Sequence, residues 1–149
     1  MNKELNDMLK ANGMVHVERI NAEGVVVEKF DVKNLVVTTG KNFIASRMVG
    51  TSDPVMSHMA IGTGTVAPGA SDIALGTQVG RVSLSGSSAL NNSITYTATF
   101  PAGTGTGAIT EAGIFNASSG GSMLCRTTFP VVNKQAGDTI AVTWVVTVS

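Results

Sequence analysis

Apolar and polar residues alternate over most of this chain, and a period of two marks strands with one buried face. Residues 14–20 place Val15 and Val17 on one face, residues 25–30 form a return strand, and Asn21-Ala22-Glu23-Gly24 is the hairpin connection. A third run, 32–38, is broken by Gly40, and residues 41–48 change to helical spacing with Phe43, Ile44 and Met48 on one side. Asp53-Pro54 marks a turn, because the residue before proline is pushed out of the helical region. Residues 57–62 read as a short buried strand, 63–71 as a Gly/Pro loop, 72–75 as one helical turn N-capped by Ser71 or Asp72, and 79–84 as another strand. Along 93–100, Ile94, Tyr96, Ala98 and Phe100 share one face and Thr95, Thr97 and Thr99 the other. Residues 108–116 and 122–129 are strands joined by Ser118-Ser119-Gly120-Gly121. Residues 139–148 close the chain with Ile140, Val142, Trp144, Val146 and Val148 inward.

The start differs. Leu5, Met8 and Leu9 fall at i, i+3 and i+4, one stripe of a short helix that Asn12-Gly13 would end. So short a helix is marginal alone in water and has to dock, which makes Leu5, Met8 and Leu9 candidate interface residues. The pattern predicts an all-β fold: an antiparallel sandwich or barrel of about eight or nine strands, with one short helix and a short N-terminal helical arm. The arm covers 1–12 and a single β domain 13–149. Within that domain, 13–50 is a charged hairpin and helix, and 51–149 a set of Ser/Thr-rich strands.

Composition sharpens this picture. At 149 residues, 43% hydrophobic and 13% charged, the chain is one globular domain rather than a disordered one. Ten basic residues balance ten acidic ones, so no net field steers it to nucleic acid or anionic lipid. No apolar run reaches the ~20 residues of a membrane span, and the first residues hold no apolar signal core. Thirteen of the twenty charges precede residue 51, while residues 53–149 hold fourteen Thr and eleven Ser. A Thr-rich sheet face is wet without being charged, which suits a surface that is later covered by protein, since charges cost more to desolvate.

Candidate chemistry is sparse. Cys125 is the single cysteine, which excludes a disulfide framework and a multi-cysteine zinc site. His16 points to the polar side of its strand and His58 sits in a buried-looking one. Neither has a partner at metal-ligand spacing, so both read as structural histidines. Gly-Thr-Gly-Thr occurs at 62–65 and again at 103–106, but neither copy opens a phosphate-binding helix. Glu111 stands in a largely apolar strand and needs a partner. Arg81 and Arg126, the only arginines beyond residue 50, are the candidates for a structural ion pair. No catalytic, cofactor-binding or metal-ligating set is assembled, and no cofactor is expected.

The C-terminal half carries a resemblance. The segment Ala108-Ile-Thr-Glu-Ala-Gly-Ile-Phe-Asn-Ala117 is followed by Gly120-Gly-Ser-Met-Leu-Cys-Arg126, and the chain ends on the alternating Thr/Val strand 139–148. Together with Ser57-His-Met-Ala-Ile-Gly-Thr-Gly64, Ala74-Leu75, Arg81 and Asn34-Leu-Val-Val37, this resembles small structural proteins of tailed bacteriophages over residues 32–149. A related pattern is similar to the attachment domain at the base of tail fibres, without the shaft. The resemblance implies a non-enzymatic virion protein, assembled in the host cytoplasm. Its first expected role is as a head decoration or cement protein bound to the major capsid protein, its second as a tail-fibre attachment or baseplate component. A homo-oligomer is expected, since closed symmetry is the default, and neither nucleic acid nor membrane is an expected partner. A carbohydrate-binding β-sandwich is the remaining alternative, and Trp144 and Tyr96 are the only residues it could use for stacking on sugar rings.

Overall fold

The computed structural model describes residues 8–149. Among these the fold is all-β: a single antiparallel sheet of nine strands with one helix. The strands are β1 (Ala11–Ile20), β2 (Val26–Val36), β3 (His58–Gly62), β4 (Gln78–Ser83), β5 (Gly86–Leu90), β6 (Ser93–Phe100), β7 (Gly107–Phe115), β8 (Met123–Lys134) and β9 (Thr139–Val148). Helix α1 (Thr38–Ser46) runs into a 3-10 turn, Arg47–Val49. The spatial order is β4-β3-β7-β8-β2-β1-β9-β6-β5.

The sheet is curled, and its connectivity requires this. β4 and β5 are the two edges of the sheet, yet only Leu84 and Ser85 separate them along the chain. Three Cα steps from Ser83 to Gly86 span at most about 11 Å, so the end of one edge and the start of the other must lie close. Leu84 N–H bonds Ser57 O (2.9 Å) on one side and Ser85 N–H bonds Thr97 O (2.8 Å) on the other, tying the rims together. Opposite this seam the ladder narrows to two pairs, Leu35–Arg126 and Val36–Cys125, where β2 crosses from one half-sheet to the other. The result is a flattened half-barrel whose two layers face each other as in a sandwich.

The interior is built by the inward rows. Val15 and Val17 of β1, Ile140, Val142, Trp144 and Val146 of β9, and Ala98 and Phe100 of β6 meet Met59, Ile61, Ile109 and Ile114 from the other half. α1 closes one end, with Phe43 and Ile44 against this core. A second, smaller cluster of Val37, Ala60, Leu75, Phe115 and Met123 lies on the other side of β3 and β7, under the loop of residues 63–77. β7 is therefore covered on both faces, which explains its near-continuous apolar run.

Several elements differ from the expectation. Residues 8–10 are not helical, Met8 and Leu9 are exposed, and Leu5 lies outside the described residues. Asn12-Gly13 does not stop a helix but belongs to β1, because Gly13 has ladder partners on both sides, Asn34 and Val146. The runs 25–30 and 32–38 fuse into the single strand β2, in which Phe30 and Val32 keep the inward phase across Asp31. Gly40 is a buried residue of α1, where a Cβ would collide with Leu124 O; it lets the helix touch β8 and does not break a strand. Residues 72–75 form no helical turn, since their polar groups are claimed by tertiary partners described below. β8 runs on through exposed Pro130, which the register shift between Thr128 and Val132 accommodates. β5 had no sequence signal, being Gly-Ser-Ser-Ala-Leu.

Candidate functional site

The chemically richest position among the described residues is Glu111, in the middle of β7 and fully buried. Its carboxylate meets the loop 63–77 and β8 at once. Oε2 accepts the backbone N–H of Gly64 (2.6 Å) and of Thr77 (2.8 Å), and Oε1 accepts that of Gly76 (2.7 Å). Arg126, from the facing part of β8, donates Nε (3.2 Å) and Nη2 (3.0 Å) to Oε1. Arg126 also donates to Val66 O (2.9 Å, from Nη2) and to Asp72 Oδ2 (3.0 Å, from Nη1). Asp72 in turn accepts the N–H of Gly69 (2.8 Å). Between Gly64 and Glu111 there is no room for a side chain, because a Cβ on Gly64 would enter the carboxylate.

The electrostatics follow from these contacts. Burial pushes the Glu111 carboxyl up, but the N–H groups of Thr77 and Gly76, the Arg126 guanidinium and the N–H of Gly64 outweigh it, so the group stays below the ordinary carboxylate range. It is ionised, and its lone pairs are already taken by five donors. Such a group has no site left for a substrate proton; what it does is pin fifteen residues of loop onto the sheet.

Of the two arginines considered for Glu111, the structure brings only Arg126 to it. Arg81 lies instead over the Phe115 ring, 3.8 Å from its centroid, and donates to the carbonyls of Ala117 and Gly120 (both 3.0 Å), fixing the β7–β8 turn. His16 is bonded through Nδ1 to Asp31 Oδ1 (2.8 Å) and through Nε2 to Glu18 Oε1 (3.1 Å) on the open face of β1 and β2; those two carboxylates raise its pKa against the opposing effect of desolvation. His58 bonds the Ser57 hydroxyl (2.8 Å). Cys125 is completely buried and burial pushes its thiol well up, the opposite of an activated nucleophile. Trp144 is fully buried with its Nε1 unpartnered among the described residues, and Tyr96 is partly buried with its hydroxyl pushed up to about 12, chiefly by desolvation. Trp144 is thus withdrawn from the surface, whereas Tyr96 borders an open groove beside α1.

Sequence reasoning missed a second buried charge. Lys134 ends β8 almost fully buried, and its Nζ donates to Asp138 O (2.7 Å) and Pro101 O (2.9 Å). The Asp138 carboxylate accepts Gln135 N–H (2.9 Å) and Arg19 Nη1 (3.1 Å). The signal was present: Lys134 shares its phase with buried Val132.

The surface itself is the other candidate. On the outer side of β1, β9, β6 and β5 the register lines up Met14, Val145, Thr95 and Ser88 in one row, and His16, Thr143, Thr97 and Gly86 in the next. From β9 to β5 these rows contain no charged residue, whereas β2 and β1 on the other flank carry Lys29, Asp31, Lys33 and Glu18. The hydroxyl-bearing surface thus has a charged border on one side only. No family model, no curated protein and no solved structure matches the chain.

Proposed function

We propose that this chain is a non-enzymatic structural subunit of tailed-bacteriophage particles, seated on the head shell as a decoration or cement protein. The observation that carries the reading is the broad outer sheet face, rich in Thr and Ser and free of charge from β9 to β5. Covering such a face with another protein strands no ions, and the hydroxyls can exchange water for hydrogen bonds across the contact. The residue pattern of segments 57–64, 108–117, 120–126 and 139–148 supports the same reading. So does the use of Glu111 and Arg126, which hold a loop rigid instead of facing solvent. A cement role needs a stiff block whose many copies each make a modest contact, with avidity supplied by the lattice.

Copy number tests this. Quantitative mass spectrometry of purified particles is expected to find hundreds of copies per virion, bound to the major capsid protein. A handful of copies would move the protein to the tail, as an attachment or baseplate component. Its absence from the particle would overturn the virion reading altogether.

A further inference from the structure

The two edges of the sheet are not alike. β4 is guarded: its ladder with β3 has an irregularity between Ile61 and Gly62, and the loop at Thr104 and Gly105 lies against Gly80. These are the usual ways in which an edge is kept from pairing with another chain. β5 has none of them. Among the described residues it pairs only with β6, all five of its residues are exposed, and that ladder is regular from Gly86–Thr97 to Leu90–Ser93. It contains no Pro, and residues 82–110 include no Asp, Glu, Lys, Arg or His. Along its free side, alternate N–H and C=O groups have no strand partner among the described residues. Its inward residues Ser87 and Ala89, with their β6 neighbours Tyr96 and Ile94, border a largely apolar groove of about 410 Å3, across which lie Phe43, Arg47 and Val55.

We propose that β5 is a self-association edge: two copies of this chain pair β5 with β5, antiparallel about a two-fold axis at Ser88, so that the sheet of one protomer continues into its partner. The sequence suits this register. Gly86 falls opposite Leu90, Ser87 opposite Ala89 and Ser88 opposite itself, so no pair brings two bulky side chains or two charges together. Leu90, 76% exposed at the hairpin tip, gains cover over the glycine of the facing strand. An isologous contact of this kind needs no second surface. The occupant is another β5 because an uncharged edge meets a copy of itself without like-charge repulsion, and this register sets each Leu90 opposite a Gly86. Five paired residues a side fall short of the roughly 1,000 Å2 that marks a stable dimer, so the pair is weak in dilute solution and forms as concentration rises. The inference stands apart from the virion reading, since it concerns the isolated protein.

The test uses the intact protein. Ser88→Cys places a thiol at the axis, and the native Cys125 is buried and out of reach. Facing Cα atoms of antiparallel strands are about 4.5–5.5 Å apart, within disulfide range. Mild oxidation is expected to convert Ser88→Cys to a covalent dimer, while Ser118→Cys, on an exposed turn, stays monomeric under the same conditions. Sedimentation equilibrium should show concentration-dependent dimers of the wild type. Ser88→Lys and Ser88→Glu should each weaken dimerisation roughly fivefold, since like charges then face each other, and a mixture of the two should restore it. Unchanged melting midpoints confirm that the variants fold. Equal cross-linking at residues 88 and 118 would overturn the proposal. So would charge variants that each dimerise like wild type, or a mixture that fails to recover.

Discussion

Glu111→Gln changes one oxygen into an NH2 group, and the structure fixes what that costs. If the amide nitrogen takes the Oε1 position, it faces Gly76 N–H and two Arg126 donors; at Oε2 it faces the N–H groups of Gly64 and Thr77. Either orientation sets donor against donor at two or three contacts and leaves Arg126, 3% exposed, with Asp72 as its one remaining anion. Breaking a buried ion pair from one side costs about 3–5 kcal/mol, and each orphaned buried N–H about 1–3 kcal/mol. These terms overlap, because the loop is able to peel away and rehydrate. A net loss of about 4–5 kcal/mol is the expectation, a large share of the ~5–15 kcal/mol by which a domain is stable. At ~2–4 °C per kcal/mol for a chain of this size, the thermal midpoint should fall by roughly 10–20 °C. Urea unfolding followed by circular dichroism measures the free energy, and amide exchange at Gly64, Gly76 and Thr77 reports the loop directly. Arg126→Met should cost less than Glu111→Gln, since the carboxylate keeps its three backbone donors. A loss under about 1 kcal/mol for Glu111→Gln, or the reverse order of the two variants, would refute the view that the carboxylate organises the loop.

Three further outcomes follow from the same structure. The folded pKa of Glu111 lies below its unfolded value near 4.5, so its contribution is present above that value and lost as pH falls through the folded one; acid titration should release the loop amides before the β1–β9 amides exchange. His16 has the opposite sign: its contribution is complete below the ordinary imidazole value of 6.5 and fades as pH rises through the raised folded value, which NMR titration of the imidazole should show together with chemical-shift changes at Glu18 and Asp31. Gly40→Ala should destabilise the protein by about 1–3 kcal/mol despite alanine's better helix propensity, because the new methyl meets Leu124 O; a gain in midpoint would contradict that close approach.

The alternation of Val15 and Val17, of Ile94 to Phe100 and of Ile140 to Val146 made the inner rows legible in advance, because a half-buried strand must write its inward face into every second residue. The buried charge of Glu111 was legible for the same reason, as a lone carboxylate in an apolar strand. The choice of Arg126 over Arg81 was not, because register alone brings Arg126 to it and seats Arg81 on Phe115. The three backbone donors come from a loop 34–47 residues away, which no local pattern announces. Residues 72–75 carry a credible cap, but Arg126 claims Asp72, and a long-range ion pair outweighs the small free energy of one helical turn. β5 shows the limit most clearly. Gly-Ser-Ser-Ala-Leu has neither a hydrophobic period nor β-branched residues, and it is a strand only because β6 offers it a ladder. Chain patterning determines which face of a segment is buried, since that depends on neighbours one or two residues away. What covers the face, which charges meet and where the sheet ends are settled only when distant segments come together.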